Sequence, residues 1–243
     1  MNIIRIEETT STNVELQQMM VDGYLEEGTV LVAGNQTSGR GQAGSFWESE
    51  PGKNLLFSIL LYPEFLNLKQ RFLLSELTAN SIKQVLDNYI DHITIKWPND
   101  IYYQDKKIAG ILIENEISEN KIKQSVIGIG INVNQEIFSD KIPEAISLKQ
   151  ILGGEIDLDL LLDEIVNQLL SDYEKKLIDG EWDDVRQYYH DSLYRKSGMH
   201  VFSDENGKFK ARIDSVADDG VLSLVTETGE IRPYLFKEVS YDR

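Results

Sequence analysis

The amino-acid sequence predicts an α+β protein, with a mixed, mostly antiparallel sheet flanked by helices and a small all-β module at the C-terminus. Three observations carry this. Residues 54–61 form a nearly continuous apolar run, and two further apolar runs, 108–117 and 122–133, meet at a polar turn, Ser118-Glu119-Asn120-Lys121; such runs mark buried strands and a hairpin. Two long segments, 70–89 and 158–178, repeat apolar residues at helical spacing. From about Lys196 the chain becomes short alternating segments separated by Asn206-Gly207, Asp219-Gly220 and Thr228-Gly229, the pattern of a small antiparallel barrel or sandwich. A boundary near 192–198 divides the chain into a main domain, 1–194, and a small one, 195–243.

The elements follow in order. Residues 1–8 alternate as a strand. A helix begins at Ser11-Thr12-Asn13 and runs to about Asp22, with Thr12 and Glu15 at capping-box spacing. A strand at 29–33 leads into a long Gly- and Ser-rich loop, 34–52; structureless loops of that length are usually functional or disordered. The apolar run 54–61 reads as a central strand. After the helix at 70–89 come a short strand at 93–97 and a hairpin around 102–107. Ser147 opens a short helix, and a further one is expected over 183–189.

Composition bounds the function. The 243 residues suffice for one large core or for a core with an appended module. The longest apolar run, 55–62, is far shorter than the roughly 20 residues of a membrane span. The N-terminus lacks the charged, apolar and small-residue regions of a signal peptide. With no cysteine, thiol catalysis, thiolate metal sites and disulfides are excluded, and the cytoplasm is the expected compartment. A net charge of −17 repels polyphosphate at long range, so neither a nucleic-acid nor a membrane partner is expected. A small anion remains admissible where cations and backbone N–H groups cluster.

Such clusters occur in three segments. In Gly39-Arg40-Gly41-Gln42-Ala43-Gly44 the glycines free the backbone to present N–H groups, and Arg40 offers a fork for carboxylate or phosphate. Nearby, Phe46-Trp47 places two aromatics in a polar loop, as expected of a cover that closes over something apolar. Lys96-Trp97-Pro98-Asn99-Asp100 ends a strand at Pro98, which lacks an N–H. Asn99 suits a base or ribose, and Asp100 suits a hydroxyl or a metal. Of the adjacent Lys106 and Lys107, strand alternation lets only one face a site, and we assign Lys107 inward. In Gly128-Ile129-Gly130-Ile131-Asn132, glycines inside a strand mark either a close approach or a bulge. Ser11-Thr12-Asn13 serves equally as a helix start or as ligand contacts. The three histidines have no metal-ligand spacing, and none is assigned to catalysis.

Taken together, Ser11-Thr12-Asn13, Gln36, Gly39-Arg40-Gly41-x-x-Gly44, Trp47, Lys96-Trp97-Pro98-Asn99-Asp100, Lys107-Ile108-Ala109-Gly110-Ile111-Leu112 and Gly128-x-Gly130-x-Asn132 resemble the catalytic core of biotin protein ligases over roughly the first 135 residues. The resemblance implies a class II synthetase-like core with a small SH3-like β-barrel after it. It implies that biotin and ATP, with Mg²⁺, give biotinyl-5′-AMP, whose acyl group passes to a lysine of a biotin carboxyl carrier domain. By the same resemblance Lys107 and Arg40 are catalytic. Biotin contacts fall to Ser11, Thr12, Asn13, Gln36, Arg40, Gly41, Gln42, Lys107 and Gly110. Nucleotide contacts fall to Trp47, Asn99, Asp100, Lys107 and Asn132, with Asp100 on the metal and Tyr234 of the C-terminal module a further contributor.

Two departures from the family pattern stand out. Gln42 replaces an arginine that many bacterial members carry. The chain also starts directly with the catalytic core rather than with a helix-turn-helix domain, which with the acidic charge argues against operator binding. Family members include monomers and dimers joined through sheet edges, so a homodimer stays open. The rival readings are a lipoate or octanoate ligase and a non-catalytic vitamin-binding protein on the same scaffold.

Overall fold

Seven strands form the main sheet in the computed structural model, which describes residues 2–242. They are β1 (Asn2–Thr9), β2 (Thr29–Gln36), β3 (Leu55–Leu61), β4 (Ile93–Lys96), β5 (Asp100–Tyr103), β6 (Lys106–Ser118) and β7 (Lys121–Ile131). Their spatial order is β1-β2-β3-β7-β6-β5-β4. Only the β1–β2 pair is parallel; every other ladder is antiparallel. The expected mixed, mostly antiparallel sheet is therefore present. Every residue of β3 is buried, in keeping with its unbroken apolar run.

Alternation gives the sheet two different faces. Val30, Phe57, Ile59, Ile127 and Ile129 point to one side. There they pack against α2 (Phe72–Leu86), α4 (Leu158–Asp172) and α5 (Trp182–Asp191), in one core where each fully buried large apolar side chain contributes about 1.5–3 kcal/mol. The helix expected over 158–178 is α-helical only to Asp172 and continues as a π-helical turn, Tyr173–Ile178. A short helix, α3 (Leu148–Leu152), starts at Ser147 with a complete capping box to Gln150.

The other face carries a smaller cluster, Leu16, Leu31, Leu60 and Val126, beneath α1 (Thr12–Asp22). Beside that helix the face is left open by its side chains. Register aligns Leu56, Gly130, Gly110 and Asp100 in one row across β3, β7, β6 and β5. The neighbouring row holds Ser58, Gly128 and Leu112. Glycines and a small hydroxyl thus occupy positions where larger residues would fill the space above the sheet.

The C-terminal module is a second, antiparallel sheet of five strands in the order β11-β10-β9-β8-β12. These are β8 (His200–Asp204), β9 (Gly207–Val216), β10 (Leu222–Thr226), β11 (Ile231–Tyr234) and β12 (Ser240–Tyr241). The small all-β module expected at the C-terminus is present as this antiparallel sheet, and among the described residues no ladder joins β11 to β12. Specific bonds dock it on the main sheet. Trp97 Nε1 donates to Gly220 O at 3.0 Å, and Arg186 holds both carboxylate oxygens of Asp218 at 2.8 and 2.9 Å. No described helix is long and apolar enough to cross a membrane.

Candidate active site

Above the two glycine rows lies a cavity of about 540 Å³. Its floor is Gly110, Leu112, Gly128 and Gly130 from β6 and β7. One wall is the start of α1 with Gln36, and the opposite wall is the turn from Lys96 to Asp100. The loop from Arg40 to Trp47 covers it, and residues Phe236 to Tyr241 of the C-terminal sheet close the remaining side.

The polar end is built by the start of α1. Ser11 is the N-cap residue, yet its side chain makes no capping bond, and the capping box expected between Thr12 and Glu15 does not form. Glu15 instead accepts from Thr9 Oγ1 at 3.0 Å. Thr12 gives both its backbone N–H (2.8 Å) and its hydroxyl (3.2 Å) to Gln36 Oε1. Ser58 Oγ donates to Asn13 Oδ1 at 2.6 Å and lies 2.7 Å from Thr12 Oγ1. Asn13 Nδ2 in turn donates to Leu112 O and to Glu114 Oε2, at 3.2 and 2.8 Å. These buried groups satisfy one another, as buried polar groups must, and fix Gln36 with its amide nitrogen as a donor.

Four basic side chains, Arg40, Lys96, Lys107 and Lys237, line the cavity. Lys107 Nζ pairs with Asp100 Oδ1 at 2.6 Å. Lys96 Nζ donates to Tyr102 Oη at 2.8 Å, and that hydroxyl donates to Glu144 at 3.0 Å. Burial pushes the Lys96 ammonium below the ordinary lysine range, against the pull of Glu144 and Asp100, and burial raises the Tyr102 phenol. From the cover, Arg40 Nη2 meets Glu114 Oε1 at 3.0 Å. Lys106 is exposed and Lys107 faces the cavity, as expected, with a register shift in the β5–β6 ladder between Lys107 and Ala109.

Trp47 explains the strand glycines. A Cβ on Gly130 would come within 2.5 Å of the indole ring, and one on Gly110 within 3.0 Å. On Gly128 it would strike Asn13 Oδ1 at 2.3 Å. The ladders run through Gly128 and Gly130 without a register shift, so close approach, not a bulge, is their reason. Lys107 Nζ sits 5.6 Å from the centre of the Trp47 ring. Trp47 Nε1 is buried without an acceptor, an uncommon state for a buried donor that points to a polar ligand group beside it.

The structure gathers nearly all the expected residues. Ser11, Thr12, Asn13, Gln36, Arg40, Gly41, Gln42, Trp47, Asn99, Asp100, Lys107 and Gly110 line the one cavity. Asn132 does not. It lies in an adjoining cleft of about 440 Å³ that shares Trp47, Lys96, Asp100 and Lys107 with the first, and its amide donates to Lys107 O at 3.5 Å. Asn99 Nδ2 is committed to Ile111 O at 2.5 Å. Tyr234 lies away from the cavity, with its hydroxyl on Asp204 at 2.8 Å. The C-terminal residues that do reach the cavity include Phe236 and Lys237, which follow β11, and Tyr241 of β12. Lys96, Ser58 and Glu114 were not assigned from sequence; the signal for Ser58 was a lone hydroxyl inside an apolar strand.

Comparison with known proteins agrees with this geometry. Residues 4–132 match the model of the Biotin/lipoate A/B protein ligase family. The chain is 31% identical over 227 residues to the bifunctional ligase/repressor BirA of Bacillus spizizenii, covering 92% of this chain and 69% of the relative. It is 33% identical over 207 residues to BirA of Bacillus subtilis, covering 84% and 63% respectively. It superposes with a TM-score of 0.80 on the biotin protein ligase from Aquifex aeolicus in complex with biotin and ATP, at 31% identity, over 100% of this chain and 99% of that one. The chain belongs to the biotin/lipoate A/B protein ligase family.

Proposed function

We propose that this protein is a biotin protein ligase: it activates biotin with ATP to biotinyl-5′-AMP and transfers the biotinyl group to a lysine of a biotin carboxyl carrier domain. The observation that carries the reading is the placement of Arg40 and Lys107 in the wall of one cavity that is also lined by the polar Ser11, Thr12, Asn13 and Gln36. Biotin's ureido ring suits Ser11, Thr12 and the Gln36 amide, and its valeryl chain suits the glycine floor. The long flexible chain of lipoate has no use for the polar end, which favours biotin within the family. The solved relative from Aquifex aeolicus, which holds biotin and ATP, supports the ligand pair.

In the first step a biotin carboxylate oxygen attacks the α-phosphorus, the bond to the bridging oxygen breaks, and pyrophosphate leaves. The two reactants are both anions and repel. Lys107 and Arg40 offset that repulsion and stabilise the added negative charge as the new bond forms. Proximity inside a covered pocket supplies further acceleration. Trp47 provides a flat apolar surface for the base, and its N–H is an unused donor. In the second step a carrier amine attacks the acyl carbon of the mixed anhydride, an amide forms, and AMP leaves.

Among the described residues no group of three or more His, Asp or Glu side chains could hold a metal. Mg²⁺ commonly binds through one or two carboxylates with substrate phosphates as the other ligands, and Asp100 in the cavity wall fits that sparse role. The ion would supply charge neutralisation on the phosphates.

The test is transfer of labelled biotin to a purified carrier domain, with pyrophosphate release measured for biotin and for lipoate. ATP-dependent labelling with biotin, and release with biotin alone of the two acids, is the expected result. Release with lipoate only would overturn the substrate assignment.

A further inference from the structure

We propose that Glu114 is a positioning residue for Arg40: its carboxylate holds the cover's guanidinium at the rim of the cavity so that the loop closes on its ligand from an anchored state. The inference rests on the biotin and ATP reading of the cavity and goes beyond it by naming what orients the cover's cation.

Glu114 is placed for this by strand alternation. Gly110 and Leu112 line the cavity floor, and Glu114 is the next residue on the same face of β6. It therefore stands where the floor ends and the cover begins. Its two oxygens face different parts of the site. Oε1 accepts from Arg40 Nη2 at 3.0 Å, and Oε2 accepts from Asn13 Nδ2 at 2.8 Å. Asn13 is buried and linked through Ser58 to Thr12 and Gln36, so Glu114 joins the vitamin end of the cavity to the loop by one hydrogen-bonded chain.

Only Nη2 of Arg40 is engaged by Glu114. A guanidinium has five N–H donors in a fixed plane, so the remaining edge can meet a carboxylate or phosphate while the Glu114 contact persists. The loop backbone supports the same idea. Gly41 N donates to Ser45 O at 2.8 Å, and Trp47 N donates to Gly39 O at 2.9 Å, which makes residues 39–47 a compact flap with Arg40 at its edge. Anchoring that flap before ligand arrives lowers the ordering cost that binding must meet.

The test compares wild type, Glu114→Gln, Arg40→Ala and the double variant. Glutamine keeps an acceptor for Asn13 and removes the charge that faces Arg40. We expect Glu114→Gln to raise the KM for biotin about fivefold with kcat little changed, the size of a partly exposed charge pair. In the Arg40→Ala background the same change should have no further effect, as required if Glu114 acts through Arg40. An unchanged or lowered KM, or an equal effect in both backgrounds, overturns the proposal. A second readout needs no catalysis: chymotrypsin should cut after Phe46 several times faster in ligand-free Glu114→Gln than in wild type, and equal rates also overturn the proposal. If wild type makes no pyrophosphate from biotin and ATP, the functional reading fails while the proteolysis arm still judges Glu114. Should the glutamine variant not fold, Glu114→Asp, one methylene short of Arg40, should show the same faster cutting; an unchanged rate there is equally decisive against the proposal.

Discussion

Lys107 Nζ lies 2.6 Å from Asp100 Oδ1 across the β5–β6 hairpin, in a wall of the same cavity that the loop residue Arg40 covers. The pair holds the ammonium at a fixed place on the sheet, close to the Trp47 ring. An amine so held needs no reorganisation when charge develops on a substrate oxygen. Lys107→Ala is therefore expected to lower biotin-dependent pyrophosphate release by about 10²–10³, the loss typical of removing one such donor. Activity within a few-fold of wild type would mean that another group does this work.

Gly130→Ala tests the role assigned to Trp47. The added Cβ would meet the ring at 2.5 Å, so the indole must move. Strand β7 itself accepts alanine, whose extended conformation is ordinary. We expect the KM for ATP to rise about tenfold or more, equivalent to roughly 1.4 kcal/mol, with little change in melting temperature. Unchanged ATP kinetics in a folded variant would remove Trp47 from the nucleotide site.

Much of this site was legible in the sequence because strand alternation and register convert spacing into geometry. The glycines at 128 and 130 signalled either a close approach or a bulge, and the ladders, which place them in adjoining rows without a register shift, show the former. Alternation allowed only one of Lys106 and Lys107 to face the site, and the register shift in the β5–β6 ladder is what brings Lys107 to the side of Gly110. What failed was long-range. Which C-terminal residues meet the cavity depends on how the second sheet docks through Trp97 and Gly220, and no local pattern encodes that. Tyr234 looked suited but packs on Phe209 inside its own sheet. Strand β12 has only two residues, too few for a periodicity signal. The capping box at Thr12 was good local chemistry that tertiary contacts displaced, because Gln36 and Ser58 take its hydroxyl.

Gln42 sits in the cover and lines the cavity, where many bacterial family members carry a second arginine. A neutral side chain there offers the adenylate one charge fewer. Gln42→Arg is expected to slow release of biotinyl-5′-AMP into solution by about tenfold or more, in line with the roughly 1.5–3 kcal/mol of one added charge-assisted hydrogen bond. Rapid filtration of the preformed intermediate measures this, and an equal or faster release would refute it.

Glu76 of α2 is buried in the core, and burial raises its carboxyl to about pH 8 against the opposing pull of Arg186. The folded chain keeps this proton up to about pH 8, while the unfolded chain loses it near 4.5. The folded state binds more protons between those values, so stability falls as pH rises through the window and levels off above it. Glu76→Gln removes that fall. Relative to wild type, the variant should gain about 2–4 kcal/mol between pH 5 and pH 8.5. Parallel denaturation curves at the two pH values would contradict the assignment.

In the proposed reaction Arg40 on the cover and Lys107 on the sheet together hold two mutually repelling anions while they react. A crystal structure with biotinyl-5′-AMP bound tests it most directly. Nitrogens of both side chains should lie at hydrogen-bond distance, about 2.7–3.2 Å, from the acyl or phosphate oxygens. An intermediate whose anhydride lies well beyond reach of either cation would contradict it.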